Sequence, residues 1–220
     1  MGGERVPQTV RSDGDDVTAR PIRGWRPLPV VGRPKVSIAV ATYDQRDELA
    51  CLLYSFRAQT YPNWEAVVVH DGPGPAAREV VAAIGDDRIR LIETPQRKQH
   101  YGHPWRDLGI FACTGDYIGL TNGDNYYAPV YFEWMLHLLT ARGADLVYCD
   151  MVHSHFQWSA FGCAPARGKI DLGCWVARAD LVKATPWRDH GFLGDGTYVE
   201  DLCRKATAVM RIPKPLFVHN

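Results

Sequence analysis

Two carboxylates stand where the hydrophobic pattern of this chain breaks. Asp71 follows the run Ala66-Val67-Val68-Val69-His70 and precedes Gly72, and Asp124 lies in Asn122-Gly123-Asp124-Asn125, just past Tyr117-Ile118-Gly119-Leu120. Both apolar runs are short and bounded by turn residues, the pattern of buried strands. In open α/β sheets, ligands bind beyond the carboxyl ends of the strands. A carboxylate there can accept hydrogen bonds from a ligand or hold a hard cation. Asp-Gly and Asn-Gly are also turn formers, so either position alone reads more readily as a turn. Together, at one sheet edge, they mark a site.

Other candidates carry less. His100-x-x-His103 and His153-x-His155 have spacings open to metal ligands, yet neither has a nearby Cys or acidic partner, and they read as surface or core histidines. Arg97-Lys98 could meet a phosphate and reads as a solvated loop. The absence of a Gly-x-Gly-x-x-Gly or Walker loop disfavours a dinucleotide oxidoreductase or a kinase.

The elements that must position these residues follow from periodicity. Val36 to Ala41 predicts a first strand. Asp44 and Asp47 have the N-cap and N3 spacing of a capping box, ahead of a helix carried by Leu49, Leu52, Leu53 and Phe56. Strands are expected at 66–69, 89–92, 117–120 and 146–149, and helices around Val80 to Ile84, Trp105 to Cys113 and Tyr131 to Leu139. Strands alternating with helices predict a single α/β domain over 35–220 with a mixed, mainly parallel central sheet. Residues 1–34 carry five prolines and no periodicity, and read as an extended or disordered arm whose stretch Trp25 to Val31 is apolar enough to dock.

Composition narrows the class. Of 220 residues, 46% are hydrophobic and 23% charged, so a real core can form. Lys plus Arg equals Asp plus Glu at 25 each, without a basic run, so no nucleic-acid partner is expected. The six cysteines form no Cys-x-x-Cys pair and fall mostly in apolar runs, as reduced thiols of a cytoplasmic protein do. The N-terminus is polar and acidic, unlike a signal peptide. No stretch approaches the roughly 20 apolar residues of a transmembrane segment; peripheral attachment at a membrane stays open.

Val36 to Tyr43, Gln59-Thr60-Tyr61-Pro62-Asn63-Trp64-Glu65, the valine run ending at Asp71-Gly72, Arg106-Asp107-Leu108-Gly109-Ile110 and Thr114-Gly115-Asp116-Tyr117-Ile118, in that order, resemble the nucleotide-binding half of inverting family-two glycosyltransferases. The resemblance runs from residue 35 nearly to the end, specific in the first half and looser in the second. It implies a GT-A fold, with 35–125 as the nucleotide-binding half and 126–220 as the acceptor half. It also implies a nucleotide-diphosphate sugar donor (a UDP-sugar favoured), an acceptor hydroxyl, and Mn²⁺ or Mg²⁺ to neutralise the leaving diphosphate.

The same resemblance assigns Ala41, Tyr43, Asp71, Arg106, Asn122, Gly123 and Asp171 to the donor. Asp71 takes the place of a nucleobase contact, although His70 replaces the acid that usually precedes it. Asn122-Gly123-Asp124 takes the place of the Asp-x-Asp metal motif. Asp124 offers a carboxylate and Asn122 only a neutral carbonyl, so metal binding weaker than the family norm is expected. His219, in the closing strand Pro213 to Asn220, is implied as a further metal ligand. Tyr198-Val199-Glu200-Asp201-Leu202 resembles a Glu-Asp motif at a helix start, with Asp201 as general base and Glu200 orienting it; an acidic first turn also suits the helix dipole. Trp158, Phe161, Trp175, Trp187 and Phe192 are open to stacking on sugar faces or to ordinary packing.

Two alternatives remain. A non-catalytic sugar-nucleotide-binding module fits the softened metal motif and sits poorly with Glu200-Asp201. A nucleotidyltransferase of similar architecture would need a Gly-rich loop where this chain has Ala41-Thr42-Tyr43-Asp44.

Overall fold

The computed structural model describes residues 28–220. Its first half alternates β1 (Val36–Thr42), α1 (Arg46–Arg57), β2 (Trp64–His70), α2 (Pro75–Ile84), β3 (Ile89–Glu93), α3 (Arg106–Ala112) and β4 (Tyr117–Asn122). The second half adds β5 (Tyr126–Tyr127), α4 (Tyr131–Ala141), β6 (Leu146–His153), β7 (Ser159–Phe161), β8 (Trp175–Arg178), α5 (Ala179–Lys183), α6 (Gly194–Lys205) and β9 (Val209–His219).

All strands join one sheet in the order β3-β2-β1-β4-β8-β6-β9-β5, with β7 paired to β6. β1 is parallel to both β2 and β4, and β2 to β3. β8 lies antiparallel between β4 and β6, while β6 and β9 are parallel. Every residue of β1 and β2 is buried, as strands covered on both faces must be. The chain steps outward from β1 to β3, then crosses back to β4 on the other flank of β1. That reversal opens a crevice at the carboxyl ends of β1 and β4.

Below the crevice, Phe56, Trp64, Tyr127, Tyr131 and Phe132 pack with ring centroids 4.6–6.2 Å apart. Each such side chain contributes about 1.5–3 kcal/mol of burial. The cluster pins β5, and so the loop carrying Asp124, to α1 and α4.

Several expectations are corrected. The capping box at Asp44 does not form: Asp44 is left-handed (φ 47), Gln45 is the N-cap, and no side chain caps α1. Instead the Asp44 N–H points to His70 Nε2 at 3.4 Å, tying the end of β1 to the end of β2. β6 runs four residues beyond its expected end at Cys149. β5, β7 and β8 add to the expected strands, being too short to show alternation. β9 accommodates Pro213 and Pro215, which cannot donate to a ladder, at register shifts around Asp150.

Of the expected arm, residues 1–27 lie outside the described residues. Residues 28–34 run along α4, where the Val31 N–H donates to Thr140 Oγ1 (3.0 Å) and the Pro29 carbonyl meets His137 Nδ1 (2.7 Å). All six cysteines are free thiols. Among the described residues no helix is long and apolar enough to cross a membrane.

Candidate functional site

A cavity of about 280 Å³ occupies the crevice. Ala41 and Tyr43 reach it from the end of β1, Asp71 from β2, and Asn122 and Asp124 from β4, under a roof formed by residues 97–102. Gly123 lets β4 close on β1: a Cβ there would sit 2.4 Å from Thr42 Oγ1.

Asp71 is buried and fully engaged. Its Oδ1 accepts from the Lys98 N–H (2.7 Å) and the Trp105 indole N–H (2.8 Å), and its Oδ2 from the Gln99 N–H (2.8 Å). The loop it holds is strained. Gln99, His100 and Tyr101 have φ of 61, 52 and 57°, followed by Gly102 at 75°, and left-handed conformations cost a residue with a Cβ about 1–2 kcal/mol each. Arg97, at the start of the loop, lays its guanidinium 3.5 Å over the Tyr43 ring.

Arg106 is buried and works inward. It donates to the Thr121 carbonyl (2.8 Å), the Tyr101 carbonyl (3.2 Å) and Asn122 Oδ1. Burial pulls its pKa below the usual value. Asn122 therefore spends its carbonyl on Arg106. Asp124 accepts from Gln45 Nε2 (2.9 Å) through one oxygen and keeps the other.

A second cavity of about 350 Å³ adjoins the first and shares Tyr101 and Asn122 with it. Asp171, Asp195 and His219 line it, with Phe156, Phe161 and Phe192 among its apolar groups. Asp171 Oδ1 caps the 3-10 turn Leu172–Cys174 through the Gly173 N–H (2.9 Å), and its Oδ2 is 3.6 Å from His219 Nε2. Gly173 is obligatory, because a Cβ would lie 2.0 Å from the Phe217 ring.

Asp195 sits in the first turn of α6. Its Oδ1 is buried without a hydrogen-bond partner. Desolvation, then the nearby Asp171 charge, push its pKa up to about 8, against the pull of Arg106. Buried His103 faces it, with Nε2 3.8 Å from Oδ1. Desolvation and Arg106 lower the His103 pKa to about 3.

Glu200 and Asp201 line neither cavity. The expectation of a Glu-Asp pair at a helix start is corrected by α6 itself, which begins at Gly194. Six residues of helix carry a side chain about 9 Å along the axis and about 240° around it, so Asp201 cannot share a face with Asp195. Asp201 binds Arg188 (3.0 Å to Nη2) and Arg204, and Arg188 holds its carboxyl below the usual range. Glu200 accepts from the Arg167 N–H (2.9 Å).

The structure thus gathers Ala41, Tyr43, Asp71, Asn122 and Asp124 around one cavity and Asp171 and His219 around the next. Asp124 and His219 do not share a cavity, and among the described residues no three His, Cys, Asp or Glu side chains cluster as a metal site. Sequence reasoning missed Asp195 because Gly194-Asp195-Gly196 reads as a turn. The signal lay in the spacing of Tyr198, Val199 and Leu202, whose buried face extends back to it.

Comparison with known proteins identifies the family and the fold. Residues 37–160, more than half of the chain, match the family described as Glycosyl transferase family 2. The putative glycosyltransferase EpsH of Bacillus subtilis is 33% identical over 119 residues, covering 53% of this chain and 33% of that protein. The succinoglycan biosynthesis protein ExoO of Rhizobium meliloti is 33% identical over 113 residues, covering 51% of this chain and 32% of that protein. The chain thus spans about a third of the length of these relatives. Among solved structures, S. aureus TarS 1-349 in complex with UDP-GlcNAc superposes with a TM-score of 0.70 at 16% identity, over 84% of this chain and 58% of that one. The mannosyltransferase PcManGT from Pyrobaculum calidifontis, in complex with GDP-Man and Mn²⁺, gives 0.67 at 18% identity, over 88% and 60%. At such identities the likeness is one of fold, and the fold is GT-A.

Proposed function

This chain belongs to glycosyl transferase family 2, and from that premise we propose that it moves a sugar, with inversion, from a nucleotide diphosphate to an acceptor hydroxyl. The observation that carries this reading is the pair of cavities meeting at Tyr101 and Asn122, with a half-buried carboxylate, Asp195, whose Oδ1 is shielded from solvent, in the second. The donor occupies the first cavity and the acceptor the second. UDP is the favoured nucleotide, in line with the UDP-GlcNAc held by the fold neighbour TarS. The halves 35–125 and 126–220 take the nucleotide and acceptor roles, joined by the 97–103 segment that serves both cavities.

The acceptor oxygen attacks the anomeric carbon from the side opposite the diphosphate. The new C–O bond forms as the old one breaks, and the electron pair leaves with the diphosphate. One displacement inverts the centre. Asp195 takes the acceptor proton, because a base works best with a pKa near the working pH. It replaces Asp201 in that role, since Arg188 and Arg204 neutralise Asp201 outside the cavities. Arg106 holds Asn122 and the Tyr101 carbonyl, and so keeps the junction between donor and acceptor in place.

A divalent cation, Mn²⁺ or Mg²⁺, would neutralise the charge that grows on the diphosphate. Asp124 fits that use through its uncommitted oxygen, and His219 offers a buried Nδ1 without a partner. Such cations keep several waters and need only one or two protein ligands beside the phosphates. The test is a thermal-shift titration with UDP and GDP, each with and without Mn²⁺, followed by NMR of the anomeric configuration of any product. Retained configuration, or donor binding without turnover on a panel of saccharide acceptors, defeats the reading; the second outcome selects the non-catalytic module.

A further inference from the structure

His103 and Asp195 present an unmet pair. Asp195 Oδ1 and both ring nitrogens of His103 are buried without hydrogen-bond partners. Oδ1 and Nε2 face each other at 3.8 Å, across the wall of the acceptor cavity. An unsatisfied buried polar atom costs about 1–3 kcal/mol, so two such atoms in register point to a proton between them. We propose that neutral His103 is a positioning residue whose Nε2 accepts a hydrogen bond from Asp195 when that carboxyl is protonated, so that it strengthens Asp195 as a base. The inference rests on Asp195 being the base, as proposed above.

The surroundings decide which partner carries the proton. His103 is desolvated and faces the guanidinium of Arg106 from α3, and the Gly191 backbone, His190 and Asp189 from the segment before α6; its ring packs 4.6 Å from that of Trp187. The buried Arg106 cation opposes a second cation on His103. Asp195 faces Asp171 from the turn before β8 as well as Arg106, and the Asp171 charge opposes ionisation of Asp195. The proton therefore belongs on Asp195, with His103 neutral and its own proton on Nδ1. In the reaction, the acceptor O–H bond breaks and its proton moves to Asp195. The carboxyl so formed is stabilised by Nε2. An acceptor behind the base favours its protonated form and raises its proton affinity. Sequence reading set His103 aside as a core or surface histidine; its place is set by the loop that Asp71 anchors.

The experiment reads Asp195 directly, without turnover. Protein carrying ¹³C-carboxyl aspartate is titrated by NMR, and the Asp195 signal is assigned by its loss in Asp195→Asn. In His103→Phe, which keeps a ring but no acceptor, the midpoint should fall by about half to one pH unit. His103→Gln, which keeps a carbonyl acceptor, should restore most of it. An unchanged midpoint overturns the pairing. A raised midpoint also overturns it, by showing that His103 donates instead. Should His103→Phe fail to fold, ¹⁵N NMR of the wild-type ring decides: an unprotonated Nε2 is expected, and a protonated one refutes the proposal. Transfer assays on Asp195→Asn separate the layers. If that variant still transfers sugar while the titration behaves as expected, the base assignment fails and the pair stands.

Discussion

Asp71→Asn separates two roles for one carboxylate. The family resemblance assigns Asp71 to the nucleobase, whereas the structure has it holding the loop above the cavity. Its oxygens accept from Lys98 N–H, Gln99 N–H and the Trp105 indole at 2.7–2.8 Å, in a buried setting. Asn keeps one acceptor oxygen and turns an NH₂ toward the other donors. At least one buried N–H then loses its partner, at about 1–3 kcal/mol. The remaining bonds lose their charge assistance, roughly half their strength. The strained backbone at Gln99, His100 and Tyr101 is no longer held. A loss of about 2–4 kcal/mol follows, or about 5–15 °C in Tm for a chain of this size. The assay is urea unfolding of the ligand-free protein, read as a lower midpoint at unchanged m. If ligand-free stability stays within about 0.5 kcal/mol of wild type while UDP affinity collapses, the anchoring role is refuted and Asp71 belongs to the base.

Asp195→Asn should lower transfer by about a hundredfold to ten-thousandfold with UDP binding intact, whereas Asp201→Asn should stay within about threefold; the reverse order, measured by product formation, returns the base to Asp201. Because Asp195 must be ionised to act and its pKa is raised to about 8, kcat/KM should climb as pH rises through that value, and a flat profile there argues against it. Asp124→Ala should erase the increment that Mn²⁺ adds to the UDP-induced thermal shift, and an undiminished increment would move the cation elsewhere. Burial opposes ionisation of Glu65, yet hydrogen bonds from Ser37, Lys35 and Thr114 outweigh it and hold its pKa at about 2, against 4.5 unperturbed. Its contribution, about 3 kcal/mol, is present above pH 4.5 and lost as pH falls toward 2, so Glu65→Gln should be less stable than wild type at pH 7 and nearly equal to it at the acid end. A gap independent of pH would show that the charge is not what stabilises.

The sequence by itself determined the first half. β1 and β2 carry the apolar runs Ile38-Ala39-Val40-Ala41 and Ala66-Val67-Val68-Val69, and strands buried on both faces can only be inner strands. Once those strands are known, Asp71 and Asp124 must emerge at the carboxyl edge. The residues that do the remaining work were decided by tertiary structure. Arg106 reads as a donor contact and is instead buried beneath Asn122, because only the fold brings α3 under β4. Asp44 satisfies the spacing of a helix cap, yet His70, on the neighbouring strand, holds its backbone in a left-handed turn. The acids of α6 are the sharpest case. In one dimension Glu200 and Asp201 read as bases, and Asp195, between two glycines, reads as a turn. Which of them enters the cavity depends on where the helix begins and which stripe it buries. The start at Gly194 comes with contacts from outside the helix: Asp189, which receives the Thr197 hydroxyl, and the Arg167-Gly168 backbone, against which Gly196 packs too closely for a side chain. A helix turns about 100° per residue, so a local pattern that leaves its first residue undecided by a few positions leaves its catalytic face undecided altogether.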